Sequence, residues 1–284
     1  MVDRLLAVYD GGAMNEPRKL KKIAQGREAE IFAWEDGTVL RLLSDPSGAA
    51  RLEAEARAMT AARAAGVSVP AVHATTTFEG RPGMIMERIG GADVLTAVGK
   101  QPWRIWWAGR VSGRLHAALH EVVAPDGLVS LRDMLRSRVE RSPLVPDAVR
   151  KLALEAMEDL PDGDRICHGD FHPGNILGTD DEPVIIDWAN VSRGDPAADF
   201  ARSHLMIRIG DVPPGSPLVI RIGAHGLRGL LLGSYAGAYR RARPIDMELV
   251  RHWELPVAAN RLVDNIPEER PALLKLLAAR AQEG

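Results

Sequence analysis

The first ninety residues alternate apolar and polar positions over short runs, and the rest of the chain shifts to the longer spacing of helices. From Leu20, KLKKIAQGREAEIFAWEDGTVLRLL reads as three strands broken at Gln25-Gly26 and at Glu35-Asp36-Gly37, the second a strong hairpin signal. Period two ends at Asp45-Pro46. The run ARLEAEARAMTAARAAG that follows has a capping Asp, a Pro suited to a first turn, an Ala-rich interior and a stop at Gly66, which predicts a helix. Glu55 and Met59 share one face of it, and Glu53 falls on the solvent side. Past Val69-Pro70, two further strands, AVHATTTF and GMIMERI, flank a Glu79-Gly80 turn and run out at Gly90-Gly91, a natural hinge. From Trp103 to Val123, Ile105, Trp106, Val111, Leu115, Leu119 and Val122 recur at mostly helical intervals, which predicts a long helix with its tryptophans in the core. Residues 126–165 read as helical with mixed charge. The most apolar late stretch, Pro217 to Tyr239, is interrupted by Arg221, His225 and Arg228, so it is read as a buried helix pair rather than a membrane span. Residues 1–18 form a leader without a clear pattern.

One segment carries the chemistry. In ICHGDFHPGNILGTDDEPVIIDW, Ile166 to Trp188, the apolar runs Ile176-Leu177 and Val184-Ile185-Ile186 flank a polar turn, the pattern of two short antiparallel strands. With Leu177 beside Ile185, register carries Asn175 opposite Asp187, and Asp170 precedes Asn175 by five residues on a loop bent by Gly169, Pro173 and Gly174. Hard oxygen donors such as Asn175 and Asp187 suit Mg2+ bound with a nucleotide, which leaves Asp170 as a base. That order matches kinase-type phosphoryl transfer: a base Asp, then an Asn and a later Asp as metal ligands.

The run HGDFHPGN followed by IIDW closely resembles the catalytic loop and metal-binding motif of the aminoglycoside phosphotransferase family, whose relatives include choline, homoserine and fructosamine kinases. The resemblance implies a bilobal, protein-kinase-like α+β fold, with an antiparallel-sheet N-lobe over residues 1–88 and a mainly helical C-lobe over 89–284, hinged near 87–91. It implies ATP, or GTP in its place, together with Mg2+, and a small-molecule hydroxyl as acceptor. By the same resemblance Gly26 lies in the loop over the phosphates, although the multi-glycine pattern is absent. Arg41 stands where the family places a phosphate-pairing lysine, and a planar fork is not equivalent to a point charge. Glu55 is then its helix partner, and backbone groups of Glu87 and Ile89 meet the adenine. Asp199, in the DPAAD segment that resembles the family's DPxxD pattern, and His168 hold the catalytic loop, with Asp195 starting a helix.

Composition narrows the alternatives. A net charge of -2 over 284 residues argues against a nucleic-acid-binding domain. The single cysteine, Cys167, excludes an intramolecular disulfide, and the charged N-terminus lacks a signal-peptide core, which points to the cytoplasm and no membrane partner. His116 and His120 lie four apart but without the Glu of a metalloprotease helix, so they read as a packed pair. Two rival functions are a nucleotide-binding pseudokinase, motivated by Arg41, and a metal-dependent phosphoesterase, which lacks the upstream ligands of a two-metal site. From Ala201 onward twelve Arg or Lys face eight Asp or Glu, an excess that predicts an acceptor with at most one positive charge, not a polycation.

Overall fold

The computed structural model describes residues 20–26, 28–178, 182–210 and 218–280; the leader, Arg27 and the tip of the 179–181 turn lie outside these. Five strands form one antiparallel sheet in the order β1-β2-β3-β5-β4: β1 Lys22–Gln25, β2 Ala29–Ala33, β3 Thr38–Leu43, β4 Val72–Phe78 and β5 Arg81–Glu87. Both tight connections use left-handed backbone, at Gly37 (φ 74°) and at the Glu79-Gly80 pair (φ 50° and 75°), the geometry that matches strand twist in two-residue hairpins. Alternation along β3 sorts its side chains. Leu40 and Leu42 turn to one face with Ile85, under Phe32, Trp34 and Phe78. Leu43 turns to the other with Met84 and meets Leu52 and Met59 of helix α1, Ala49–Ala64. Arg41 has the parity of Leu43, so it faces α1 as well.

Helix α1 begins one turn later than its capping signal suggests, because Pro46–Gly48 form a 3-10 turn capped by the Asp45 carboxylate on the Ser47 amide (2.9 Å). It stops at Gly66, φ 84°. After β5 come α2 Val94–Lys100, α3 Ile105–Leu119, α4 Leu131–Arg141 and α5 Asp147–Ala156. Short strands β6 Arg165–Cys167, β7 Ile176–Gly178, β8 Pro183–Ile185 and β9 Ser192–Gly194 carry the motif segment. Helices α6 Pro196–Ile209, α7 Leu218–Ala242, α8 Met247–Val263 and α9 Arg270–Arg280 close the chain. The result is a bilobal α+β molecule whose larger apolar core runs from the α1 face of the sheet into the helices. None of the helices searched among the described residues is long and apolar enough to cross a membrane.

Two helical expectations change. The apolar late stretch is one helix, α7, not a pair, since no residue within Leu218–Ala242 breaks it. Two of the three tryptophans at the start of α3 are not core: Trp103 is 72% and Trp106 49% exposed, while Trp107 packs against the core with the Arg104 guanidinium 4.1 Å from its ring centroid. The reason lies in what α3 packs against. Its buried face is Ala108, Gly109, Ser112, Gly113, His116 and His120, small enough to let α7 approach so closely that a Cβ on Gly113 would sit 2.4 Å from the Tyr235 carbonyl oxygen.

Candidate active site

Strands β6 and β9 pair antiparallel, and the chain leaves β6 into the loop that carries Asp170. Gly169 adopts φ 75°, and a Cβ there would lie 2.4 Å from the Asn190 carbonyl oxygen, so the turn demands glycine. Asp199, in the first turn of α6, accepts the amides of His168 (2.6 Å) and Gly169 (3.0 Å) on its two carboxylate oxygens. His168 is fully buried and bridges two strands: its Nε2–H donates to the Ile186 carbonyl (3.0 Å) and its Nδ1 accepts the Asp170 amide (3.3 Å). The direction of the first bond fixes the tautomer. Asp195 caps α6 by accepting the Ala197 amide, 2.6 Å. The Asp170 carboxylate is held at the surface of this frame, its side chain 24% exposed.

Asn175 lies in the same frame, at the end of a 3-10 turn. Its Nδ2 donates to the Asp170 carbonyl (2.9 Å) and toward the Asp170 carboxylate (3.3 Å), which turns Oδ1 away from both. The register of the hairpin differs by one residue from the sequence expectation. Ile176 pairs with Ile185 and Leu177 with Val184, so Asn175 lies opposite Ile186 and its carbonyl accepts the Ile186 amide, 2.9 Å. Asp187 sits one residue further on and leaves the strand in the left-handed region (φ 62°, ψ 67°), a conformation rare for any residue but Gly and tolerated by Asp. Its carboxylate is exposed and pairs with no cation among the described residues. An amide oxygen turned outward and an unpaired carboxylate are hard donors of the kind Mg2+ takes, so the two side chains fit that ion.

Arg41 and Glu55 meet across the sheet–helix interface, where Arg41 Nη1 donates to both carboxylate oxygens at 2.9 and 2.8 Å, with both side chains buried. Burial pushes the Glu55 carboxyl above its usual range, and the Arg41 guanidinium pulls against that. The Asp187 charge adds a smaller upward push. At the end of β5 the amides of Glu87 and Arg88 donate to Ala71 and Gly37, while the Ile89 amide has no protein acceptor among the described residues. Gly91 (φ 100°) passes so close to the hairpin that a Cβ would lie 3.3 Å from Gly178. The side chains of Glu87 and Ile89 line a cavity of about 380 Å3 with Ser68, Val69, Leu115 and Val184; Asp170, Asn175 and Asp187 do not line it. Gly26 closes a plain turn, its amide on the Ala29 carbonyl at 2.8 Å.

The structure adds neighbours that the motif pass missed. Arg202 of α6 donates Nε to the Gly169 carbonyl, and its Nη2 lies 3.3 Å from Asp264 and 3.8 Å from the Asp170 carboxylate. Asp264 also receives Arg138 (2.6 Å) and Arg261 (3.1 Å), and Arg261 pairs with Glu269 (2.7 Å). His172, 4.0 Å from Asp170, accepts the Gly174 amide on Nδ1. Arg202 and Asp264 lie 62 positions apart and share no motif, so only the fold brings them together.

Antiparallel sheet, helical lobe and this loop define the protein-kinase-like class. A model of the phosphotransferase enzyme family matches residues 19–245, and the chain belongs to that family, the aminoglycoside phosphotransferases that its motifs resemble. It is 32% identical to streptomycin 6-kinase of Streptomyces griseus over 130 residues, a stretch spanning 41% of this chain and 40% of that protein. Among solved structures, amicoumacin kinase hAmiN in complex with AMP-PNP, Ca2+ and Ami superposes with TM-score 0.65 at 12% identity, covering 98% of this chain and 91% of that one. A thermostable mutant of aminoglycoside phosphotransferase APH(4)-Ia superposes with TM-score 0.64 at 17% identity, covering 93% and 94%. At these identities the two structures bear on the fold alone.

Proposed function

We propose that this phosphotransferase uses ATP and Mg2+ to phosphorylate a hydroxyl of a small molecule, with Asp170 as the base. The observation that carries the reading is the interlock of Asp170 with Asn175 (2.9 and 3.3 Å) at the foot of a hairpin whose other strand ends at an unpaired Asp187. Asp170 would accept the proton of the attacking hydroxyl as the oxygen–phosphorus bond forms, and Asn175 holds the base in place through its amide. Asn175 Oδ1 and Asp187 would hold Mg2+, which when bound offsets phosphate charge. Arg41 keeps guanidinium nitrogens that Glu55 does not use and would meet the phosphates, beneath the turn at Gly26. The Glu87 carbonyl and the Ile89 amide would receive the adenine edge, at a boundary we place near 87–91 between lobes 1–88 and 89–284 in a cytoplasmic enzyme. The complexed kinase hAmiN, with AMP-PNP and Ca2+, supports a nucleotide and a divalent cation here.

For the acceptor, the likeness to streptomycin 6-kinase makes streptomycin the first compound to test. The expectation of an acceptor with at most one positive charge gains nothing from such a relative, because aminoglycosides are polycations. Four of those cations, Arg202, Arg243, Arg261 and Arg280, are bound to Asp264, Glu121, Glu269 and Glu254, and of these acids only Glu121 lies outside the counted segment.

The test is ADP release against a panel of aminoglycosides, amino alcohols and sugars, followed by two variants. Asp170→Asn should leave ATP binding intact and lower turnover on the order of 100-fold or more. Asp187→Ala should abolish Mg2+-dependent ATP binding in calorimetry, while Asn175→Ala weakens it less. Equal ATP affinity with and without Mg2+ in the parent protein would remove the metal assignment. ATP binding without transfer to any acceptor would favour the pseudokinase reading that Arg41 invites.

A further inference from the structure

His116 and His120 stand one turn apart on α3, both fully buried, and the mechanism above uses neither. Their Nε2 atoms converge on one oxygen, Asp199 Oδ2, at 3.1 and 3.2 Å. Their Nδ1 atoms meet two hydroxyls one turn apart on α7: Tyr235 at 2.7 Å from His116 and Tyr239 at 2.6 Å from His120. A carboxylate only accepts, so each Nε2 carries a proton. A neutral imidazole then offers Nδ1 as an acceptor, and each tyrosine hydroxyl donates to it. In this assignment both ring nitrogens of each histidine are satisfied, with one negative charge at the centre.

The same three side chains could be read as a cation site, since their ligand atoms lie within 4.8 Å of one another. The protein already occupies those atoms. Asp199 Oδ2 also accepts the His168 amide at 2.6 Å, and a metal there would have to displace both Nε2 protons from a cluster closed to solvent.

We propose that Tyr235 with His116, and Tyr239 with His120, are positioning residues for phosphotransfer: two parallel hydrogen-bond chains that anchor the imidazole rings, orient Asp199, and through the His168 and Gly169 amides place Asp170. The catalytic part of this rests on the reading of Asp170 as the base. A second contact runs along the same line, because the His116 ring stacks on Phe171, next to Asp170, with centroids 4.1 Å apart and planes at 9°. Burial, then the neighbouring His120, lower His116 to about 4, which keeps the ring neutral as the assignment requires. Removing one hydroxyl leaves a buried Nδ1 lone pair without a donor while Nε2–H stays on the carboxylate, so the ring loses the contact that anchors it to α7 and Asp199 is no longer held in one orientation.

Nitrogen-15 NMR of the histidine-labelled protein at neutral pH should show His116 and His120 as neutral Nε2–H tautomers. Tyr235→Phe and Tyr239→Phe keep the ring volume. Each should melt close to the parent, keep its KM for ATP, lose roughly tenfold in kcat, and exchange the His168 and Gly169 amides faster by a similar factor. The double variant should lose at least the product of the two. Nδ1–H tautomers in the parent, one equivalent of zinc held through purification, or unchanged amide exchange in the double variant would each overturn the proposal. The tautomers and exchange rates need no acceptor, so a parent protein that transfers no phosphate would overturn the functional reading while these measurements still decide the hydrogen-bond chains.

Discussion

Arg41 meets Glu55 through a single nitrogen, and that detail decides how the position can be varied. A lysine ammonium can occupy one point between two carboxylate oxygens as Nη1 does, so the pairing itself does not require the planar fork. Arg41→Lys should therefore fold and retain part of the phosphotransfer activity. Arg41→Met should fail twice, because it removes a candidate phosphate contact and strands a buried carboxylate, a change that costs about 3–5 kcal/mol. Arg41→Met combined with Glu55→Leu separates the two: stability, read from denaturant midpoints, should recover while activity does not. A fully active double variant would remove Arg41 from nucleotide binding. At this scale much of the site was legible, since Asp170, Asn175 and Asp187 belong to one continuous run and Arg41 follows a recognisable hairpin. Arg202 and Asp264 were not, because nothing local marks a residue of α6 and the cap of α8 as neighbours of Asp170, 32 and 94 positions earlier.

Helices α3 and α7 show why pattern reading failed at one element while it worked in the sheet. Strands β2–β3 and β4–β5 advertise themselves through two hairpin turns, and those two pairings follow from the turns. The buried face of α3 is instead glycine, serine and histidine, residues that score as polar, while Trp103 and Trp106 score as core and lie outside. The driving feature is close backbone approach. Gly113→Ala would put a methyl 2.4 Å from the Tyr235 carbonyl and 2.8 Å from the Tyr239 amide, atoms that cannot rotate away. It should destabilise by about 1–3 kcal/mol or more, and by moving α7 it should also disturb the tyrosine–histidine contacts. Gly233 on α7 is exposed with nothing within 4 Å of an added Cβ, so Gly233→Ala should stabilise by roughly 0.5–1 kcal/mol. A Gly113→Ala protein that melts at or above the parent would mean that the α3–α7 contact is looser than described.

For the molecule as a whole, buried histidines govern the response to acid. Burial lowers His116, His120, His168, His172 and His204, with His116 at about 4, whereas the unfolded chain has histidines near 6.5. A histidine lowered on folding is neutral in the native state while the unfolded chain takes up its proton. Its contribution is therefore complete above about pH 6.5 and declines as pH falls toward about 4. Asp199 behaves differently. Burial would raise its carboxyl, but the hydrogen bonds from His116 and His120 outweigh that and hold it well below the usual range, so its contribution declines only under stronger acid. The two windows are thus ordered, histidines first. Between about pH 7.5 and about pH 5, His116 alone should remove on the order of 2 kcal/mol, seen as a falling urea midpoint with proton uptake on unfolding. A midpoint that instead rose as the pH fell over that interval would mean that the rings are already charged in the native state. Each Nδ1 would then be a donor and the tyrosine oxygens acceptors, and the buried carboxylate would be held by imidazolium charge in place of two neutral rings.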